Sequence, residues 1–197
     1  MYPKSIQNLI ETLKYFPGVG EKSAERMAFS ILGMEEEQTN ALGNSIIEAK
    51  QNIKKCSVCN NYTENDICSI CSDLNRNKDT LCVVEDCKTL YTIEKTNKYH
   101  GYYYILNGLI RSFDVQNIEE LNLNNLIKRI TQKEFKEVII AVKPCIEGEM
   151  TALYIKNLLS NTGVKVTRLA SGIPMGADMD YVDSLTLERA FDNRSIL

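Results

Sequence analysis

The sequence predicts a multidomain α/β protein: a helical N-terminal part, a short cysteine-rich segment, then a parallel sheet with helices on its faces. Three observations carry this. Residues 5–55 hold apolar residues at helical spacing through three stretches separated by turns. Four of the seven cysteines fall within residues 56–71, as two C-x-x-C pairs. From residue 81 onward, short apolar runs alternate with helical stretches, the pattern of a parallel sheet covered on both faces. A chain of 197 residues has room for one large domain or two to three small ones.

In chain order, SIQNLIETLKYF (5–16) places Ile6, Leu9, Ile10 and Leu13 on one helical face, with Ser5 as the candidate N-cap. PGVG (17–20) is a proline–glycine turn. EKSAERMAFSIL (21–32) resumes the helical pattern with Ala24, Met27, Ala28 and Ile31 inward. A third helix is expected over 35–55, with Leu42, Ile46, Ala49 and Ile53 along one face. It opens on Glu35–Glu37 and closes on Lys54 and Lys55, each sign at the end the helix dipole favours. After the cysteines, SDLNRNKD reads as a short polar linker. Strands are expected at LCVVE (81–85), YYYIL (102–106), EVIIAV (137–142) and VKVTRL (164–169), with helices at 87–96, 118–131 and 147–160. The loop SGIPMGAD (171–178) precedes a last helix carrying Leu185, Leu187 and Ala190. The expected segments are therefore 1–55, 56–72, 80–170 and 171–197.

Composition narrows the function classes. Hydrophobic residues at 44% and charged residues at 25% are those of an ordinary globular protein. No apolar run reaches about 18 residues, so no membrane helix is expected. The N-terminus lacks the apolar core and cleavage site of a signal peptide, which points to the cytoplasm, where thiols stay reduced. The net charge of −3 argues against a surface coated in basic patches, so nucleic-acid binding has to be local or shared among subunits.

The cysteine spacing is C-x2-C-x8-C-x2-C, through Cys56, Cys59, Cys68 and Cys71. Two such turns each present two thiolates to one tetrahedral Zn²⁺, and the intervening loop is long enough to bring them together. The expectation is one structural zinc per chain, closed to water and without a catalytic role. The metal would supply folding energy that so short a segment lacks. Cys82, Cys87 and Cys145 read as small buried apolar residues. His100, the one histidine, reads as a loop residue without a catalytic part.

Two helices joined at PGVG form a helix-hairpin-helix signature. Gly18 and Gly20 allow a phosphate to approach the backbone, the next helix offers free N–H groups, and Lys22 and Arg26 add charge one turn apart. Such contact reads no base sequence. Glu21 and Glu25 interleave and temper the patch. The plainer alternative is a packing turn. On the sheet domain, Glu85 follows the first strand, and Glu147 and Glu149 follow EVIIAV. Carboxyl ends of neighbouring parallel strands form a crevice, where three converging carboxylates would hold Mg²⁺; the alternative is an acidic surface for a basic partner. No G-x-x-x-x-G-K-[ST] loop is present.

Taken in order, PGVGEKSAERMAF, CSVCNNYTENDICSIC, LCVVE, AVKPCIEGEMTALYI and KVTRLASGIPMGADMDYVDSLTLERA resemble the RecR family of bacterial recombination mediators over essentially the whole chain. The resemblance implies a helix-hairpin-helix domain, a four-cysteine zinc finger, a Toprim domain and a C-terminal Walker-B-like segment. It implies a ring-shaped homotetramer able to encircle DNA, in the cytoplasm at the nucleoid. It also implies a role with RecO and, in many bacteria, RecF, helping RecA displace single-stranded-DNA-binding protein at gaps and breaks. By the same resemblance Lys22 and Arg26 match DNA-contacting positions, and Cys56, Cys59, Cys68 and Cys71 match zinc ligands. Glu85, Glu147 and Glu149 match Toprim acids associated with RecO rather than with a reaction. The expectation is thus a non-enzymatic mediator; the rival is a Mg²⁺-dependent Toprim nuclease or primase-like enzyme. The chain departs from the family at Lys143, where asparagine is usual, at Tyr104 in place of a histidine, and at Ala177 in place of a glycine. Residues 107–117 lack the usual Ser-Pro and Gly-x-Gly-Pro. A lysine beside the acids offsets part of their field and weakens the magnesium reading.

Overall fold

The computed structural model describes residues 2–111, 121–133, 135–170 and 172–194. The chain forms two compact units, residues 1–53 and 54–197.

The first unit is helical: α1 (Lys4–Leu13), α2 (Glu21–Leu32) and α3 (Glu36–Asn52). Pro3, not Ser5, is the N-cap of α1, and the Ile6 and Gln7 N–H groups donate to the Pro3 carbonyl. Proline lacks an N–H and presets φ, so it suits a helix start, and Ser5 lies inside the helix. The helix ends at Leu13 rather than 16, because Tyr15 and Phe16 donate three residues back in tightened turns ahead of Pro17. The core of this unit is small: Ile10, Ala24 and Ala28 are buried, with Ile6, Leu9, Leu13 and Val19 packed around them. Met27, expected inward, is exposed. Ala24 and Ala28 form a narrow line one helical turn apart, and Met27 points to its side. α3 opens with a capping box between Glu35 and Gln38. It buries no residue, and the expected stripe stands exposed: Leu42 at 40%, Ile46 at 60% and Ile53 at 39%.

The second unit begins with a small antiparallel pair, β1 (Lys54–Lys55) and β2 (Tyr62–Thr63), and a one-turn helix α4 (Ser69–Ser72). Then come β3 (Thr80–Val84), α5 (Cys87–Glu94), β4 (Tyr102–Ile105), α6 (Leu123–Lys133), β5 (Glu137–Ala141), α7 (Ile146–Leu158) and β6 (Lys165–Arg168). A 3₁₀ turn (Met179–Tyr181) and α8 (Ser184–Asp192) follow. The four longer strands form one parallel sheet in the order β4-β3-β5-β6. The chain moves from β3 outward to β4, then crosses to the other side for β5. The switch point thus lies between β3 and β5, above their carboxyl ends. The expected helix at 118–131 is described from Leu123; residues 118–120, and 112–117 of the divergent loop, lie outside the described residues.

Alternation along each strand divides the core in two. Leu81, Val83, Tyr102, Tyr104, Val138 and Ile140 face Leu126 and Ile130 of α6 and Ile155 of α7. Cys82, Val84, Tyr103 and Ile105 face Leu90 of α5 and the cysteine segment. The cysteine segment therefore shares a core with the sheet. The stretch read as a short polar linker is tied down: Arg76 pairs with Glu94 at 2.6 Å, and the Asn77 N–H donates to the His100 carbonyl. Burial alone would raise the Glu94 carboxyl, but Arg76 and the Tyr103 hydroxyl hold it below the ordinary carboxylate range.

Candidate functional site

The sulfurs of Cys56, Cys59, Cys68 and Cys71 lie within 4.8 Å of one another, three of them on buried residues. Local backbone builds this. The Cys56 N–H donates to the Asn61 carbonyl at 2.7 Å, and Asn60 takes a left-handed φ of 64°, which asparagine tolerates; together they close the first C-x-x-C turn. Cys68 caps α4, and Cys71 follows within its single turn. The Cys68 N–H donates to the Cys56 sulfur at 3.3 Å, and the Cys59 and Cys68 sulfurs are 3.5 Å apart. Four sulfurs on a tetrahedral Zn²⁺ stand about 3.8 Å apart, and this donor set and spacing fit that ion. The centre is one structural zinc site, held by these four residues.

A residue that spacing did not mark completes the surroundings. Arg129, on α6, is 6% exposed. Its guanidinium donates to the carbonyls of Val58 (3.1 Å) and Tyr103, and contacts the Cys71 sulfur at 3.8 Å. The only sequence signal is a cation on the apolar stripe of an amphipathic helix.

In the helical unit, Gly18 has φ +80°, which a side chain would strain, while open space lies before both Gly18 and Gly20. Gly20 is the N-cap of α2 and supplies no side-chain cap, so first-turn N–H groups stay available. Lys22 and Arg26 are exposed, and among the described residues neither has an ion-pair partner within 4 Å. Glu21 is engaged by Lys14 at 2.7 Å, which offsets one of the two interleaved acids.

The acids do not form the close group that the Mg²⁺ alternative would need. Glu85 follows β3, while Glu147 and Glu149 stand in the first turn of α7. Among the described residues, the cysteines are the sole group of three or more potential ligands within 4.8 Å. Glu149 is bound by Arg168 of β6 at 2.8 and 2.9 Å and by Arg189 of α8 at 3.3 Å. Those arginines, missed in the sequence because they lie 19 and 40 residues further on, turn Glu149 toward β6 and α8. Glu147 is exposed, and its own helix-start N–H, the Cys145 side chain and the Lys143 charge hold its carboxyl below the usual range.

Four family models match the chain in order: the RecR helix-hairpin-helix over residues 6–50, the RecR four-cysteine zinc finger domain over 53–73, the Toprim domain over 79–170 and the RecR C-terminal segment over 172–195. The chain is 42% identical over 196 residues to the Recombination protein RecR of Natranaerobius thermophilus, covering all of this chain and 98% of that one. It is 43% identical over 197 residues to the Recombination protein RecR of Streptococcus equi subsp. equi, covering both in full.

Proposed function

The chain belongs to the RecR family of recombination proteins, with a role in recombination repair, and from that premise we propose that it is a DNA-binding mediator without chemistry of its own. It acts with RecO, and with RecF where that is present, to help load RecA on DNA coated by single-stranded-DNA-binding protein. The observation that carries this is the hairpin: Gly18 and Gly20 leave the backbone open before an uncapped α2, and Lys22 and Arg26 stand there without counter-ions among the described residues. This is a phosphate-contacting arrangement that ignores base identity. Glu85, Glu147 and Glu149 serve as the surface for a basic partner. The two arginines on Glu149 count against a Mg²⁺ site, which would need these acids converging on a cation.

The protein works as a homo-oligomer, a ring tetramer, in the cytoplasm at the nucleoid. Exposed Leu42, Ile46, Ile47 and Ile53 of the α3 region support a second copy as their cover, since contiguous apolar surface marks an interface. Among the described residues no helix is long and apolar enough to cross a membrane. A ring multiplies a modest basic patch through effective concentration, offsetting the net charge of −3.

The test is a gel-shift titration on DNA across a salt series, with and without a RecO-type partner and Mg²⁺. The expected result is affinity that falls steeply with salt, is lost in Lys22→Ala/Arg26→Ala, and leaves the DNA uncut. Cleavage or synthesis products that require Glu85 would instead establish the Mg²⁺-dependent enzyme.

A further inference from the structure

We infer that Arg129 joins the zinc centre to the Toprim sheet, acting at once as counter-charge to the thiolate cluster and as cover for the free edge of β4. It is a positioning residue, and the inference rests on the zinc reading of the four cysteines.

Arg129 interrupts a stripe formed by Leu123, Leu126 and Ile130, and like them it is buried. A cation cannot stay there without partners of opposite polarity. Among the described residues no carboxylate lies within ion-pair distance of it. Its contacts are two carbonyls and the Cys71 sulfur. Four thiolates on one Zn²⁺ carry a formal charge of about −2, so the metal-loaded cluster is the anion this guanidinium faces. An N–H donated to a coordinating sulfur draws off part of that charge and fixes the ligand's orientation.

The sheet supplies the second half. β4 is an edge strand, paired only with β3 among the described residues. An edge leaves backbone groups open, and here three of them have a cover. The Tyr103 carbonyl accepts from Arg129, the Ile105 N–H donates to the Cys59 carbonyl at 2.9 Å, and the Ile105 carbonyl accepts from the Asn60 side chain at 3.0 Å. One zinc ligand, the residue after it, and one arginine touching another ligand thus close the edge of the domain. Loss of the metal should open that edge, and loss of Arg129 should loosen the metal.

Wild type, Arg129→Met and Arg129→Lys are compared for zinc content, zinc release to a competing chelator, the sulfur-to-metal charge-transfer band after Co²⁺ substitution, and hydrogen exchange at the Ile105 amide. Wild type should hold one zinc. Arg129→Met should hold it about 10- to 100-fold more weakly, as outer-shell variants do, and should shift the cobalt band. Arg129→Lys should fall between, since it keeps the charge but not the planar fork. The Ile105 amide should lose protection both in Arg129→Met and in chelated wild type. If Arg129→Met does not fold, Arg129→Lys and the chelated wild type decide the matter. Unchanged zinc release and cobalt band in the variants, with only a lower melting temperature, would overturn the inference and leave the zinc site standing. A wild type that holds no zinc would overturn both.

Discussion

Leu126 on α6 and Ile46 on α3 each sit on the apolar face of a helix, yet Leu126 is fully enclosed and Ile46 is 60% exposed. Around Leu126 a parallel sheet and two helices close one layer of core, and the zinc segment closes the other. Around Ile46 the helical unit offers nothing comparable among the described residues, since it buries only Ile10, Ala24 and Ala28. An apolar stripe says that a face wants cover. Whether the cover comes from the same chain depends on how much other surface the unit can bring to it.

The contrast can be broken or sharpened experimentally. The largest effect should come from the metal. Chelation, or Cys59→Ser, removes an interaction whose apparent value in small zinc domains is about 10 kcal/mol or more. The protein should lose its zinc and its cooperative unfolding transition while the helical unit keeps its circular-dichroism signal; survival of that transition would show that the sheet closes its edge unaided. Next, Leu126→Ala should cost about 2–5 kcal/mol in denaturant unfolding, the range for a cavity in a packed core.

Gly148→Ala should follow at about 1–3 kcal/mol, because a Cβ there would collide with the Lys143 carbonyl oxygen. Smaller still is the acid sensitivity of Glu94. Its folded carboxyl lies below the ordinary range, so its contribution is complete above about pH 4.3 and is lost as pH falls through the folded value. Glu94→Gln should flatten that part of the stability–pH curve. The smallest effect should be Ile46→Ser, which in dilute protein should change unfolding by less than about 0.5 kcal/mol. The same change should weaken self-association, read by light scattering against concentration. A large loss in the dilute monomer would mean that α3 is covered from within the chain.

What spacing alone determined here was local. Period-2 and period-3.6 patterns placed the four main strands and the helices between them to within a few residues, since each depends on neighbours a turn or a pleat away. Four cysteines in sixteen residues named the zinc ligands, because both halves of the site are short turns that shape themselves. Only the tertiary structure decided which charges meet. Arg129 finds Cys71 and Val58 across 58 and 71 residues, and Arg168 takes Glu149 out of the trio of acids that a Mg²⁺ site would need. It also decided that the cysteine segment closes a sheet edge, while α3 keeps its apolar face outward. The reason is physical: a side chain's period follows from its own backbone, but its partner follows from the order in which strands lie side by side, which contacts far apart in the chain settle together.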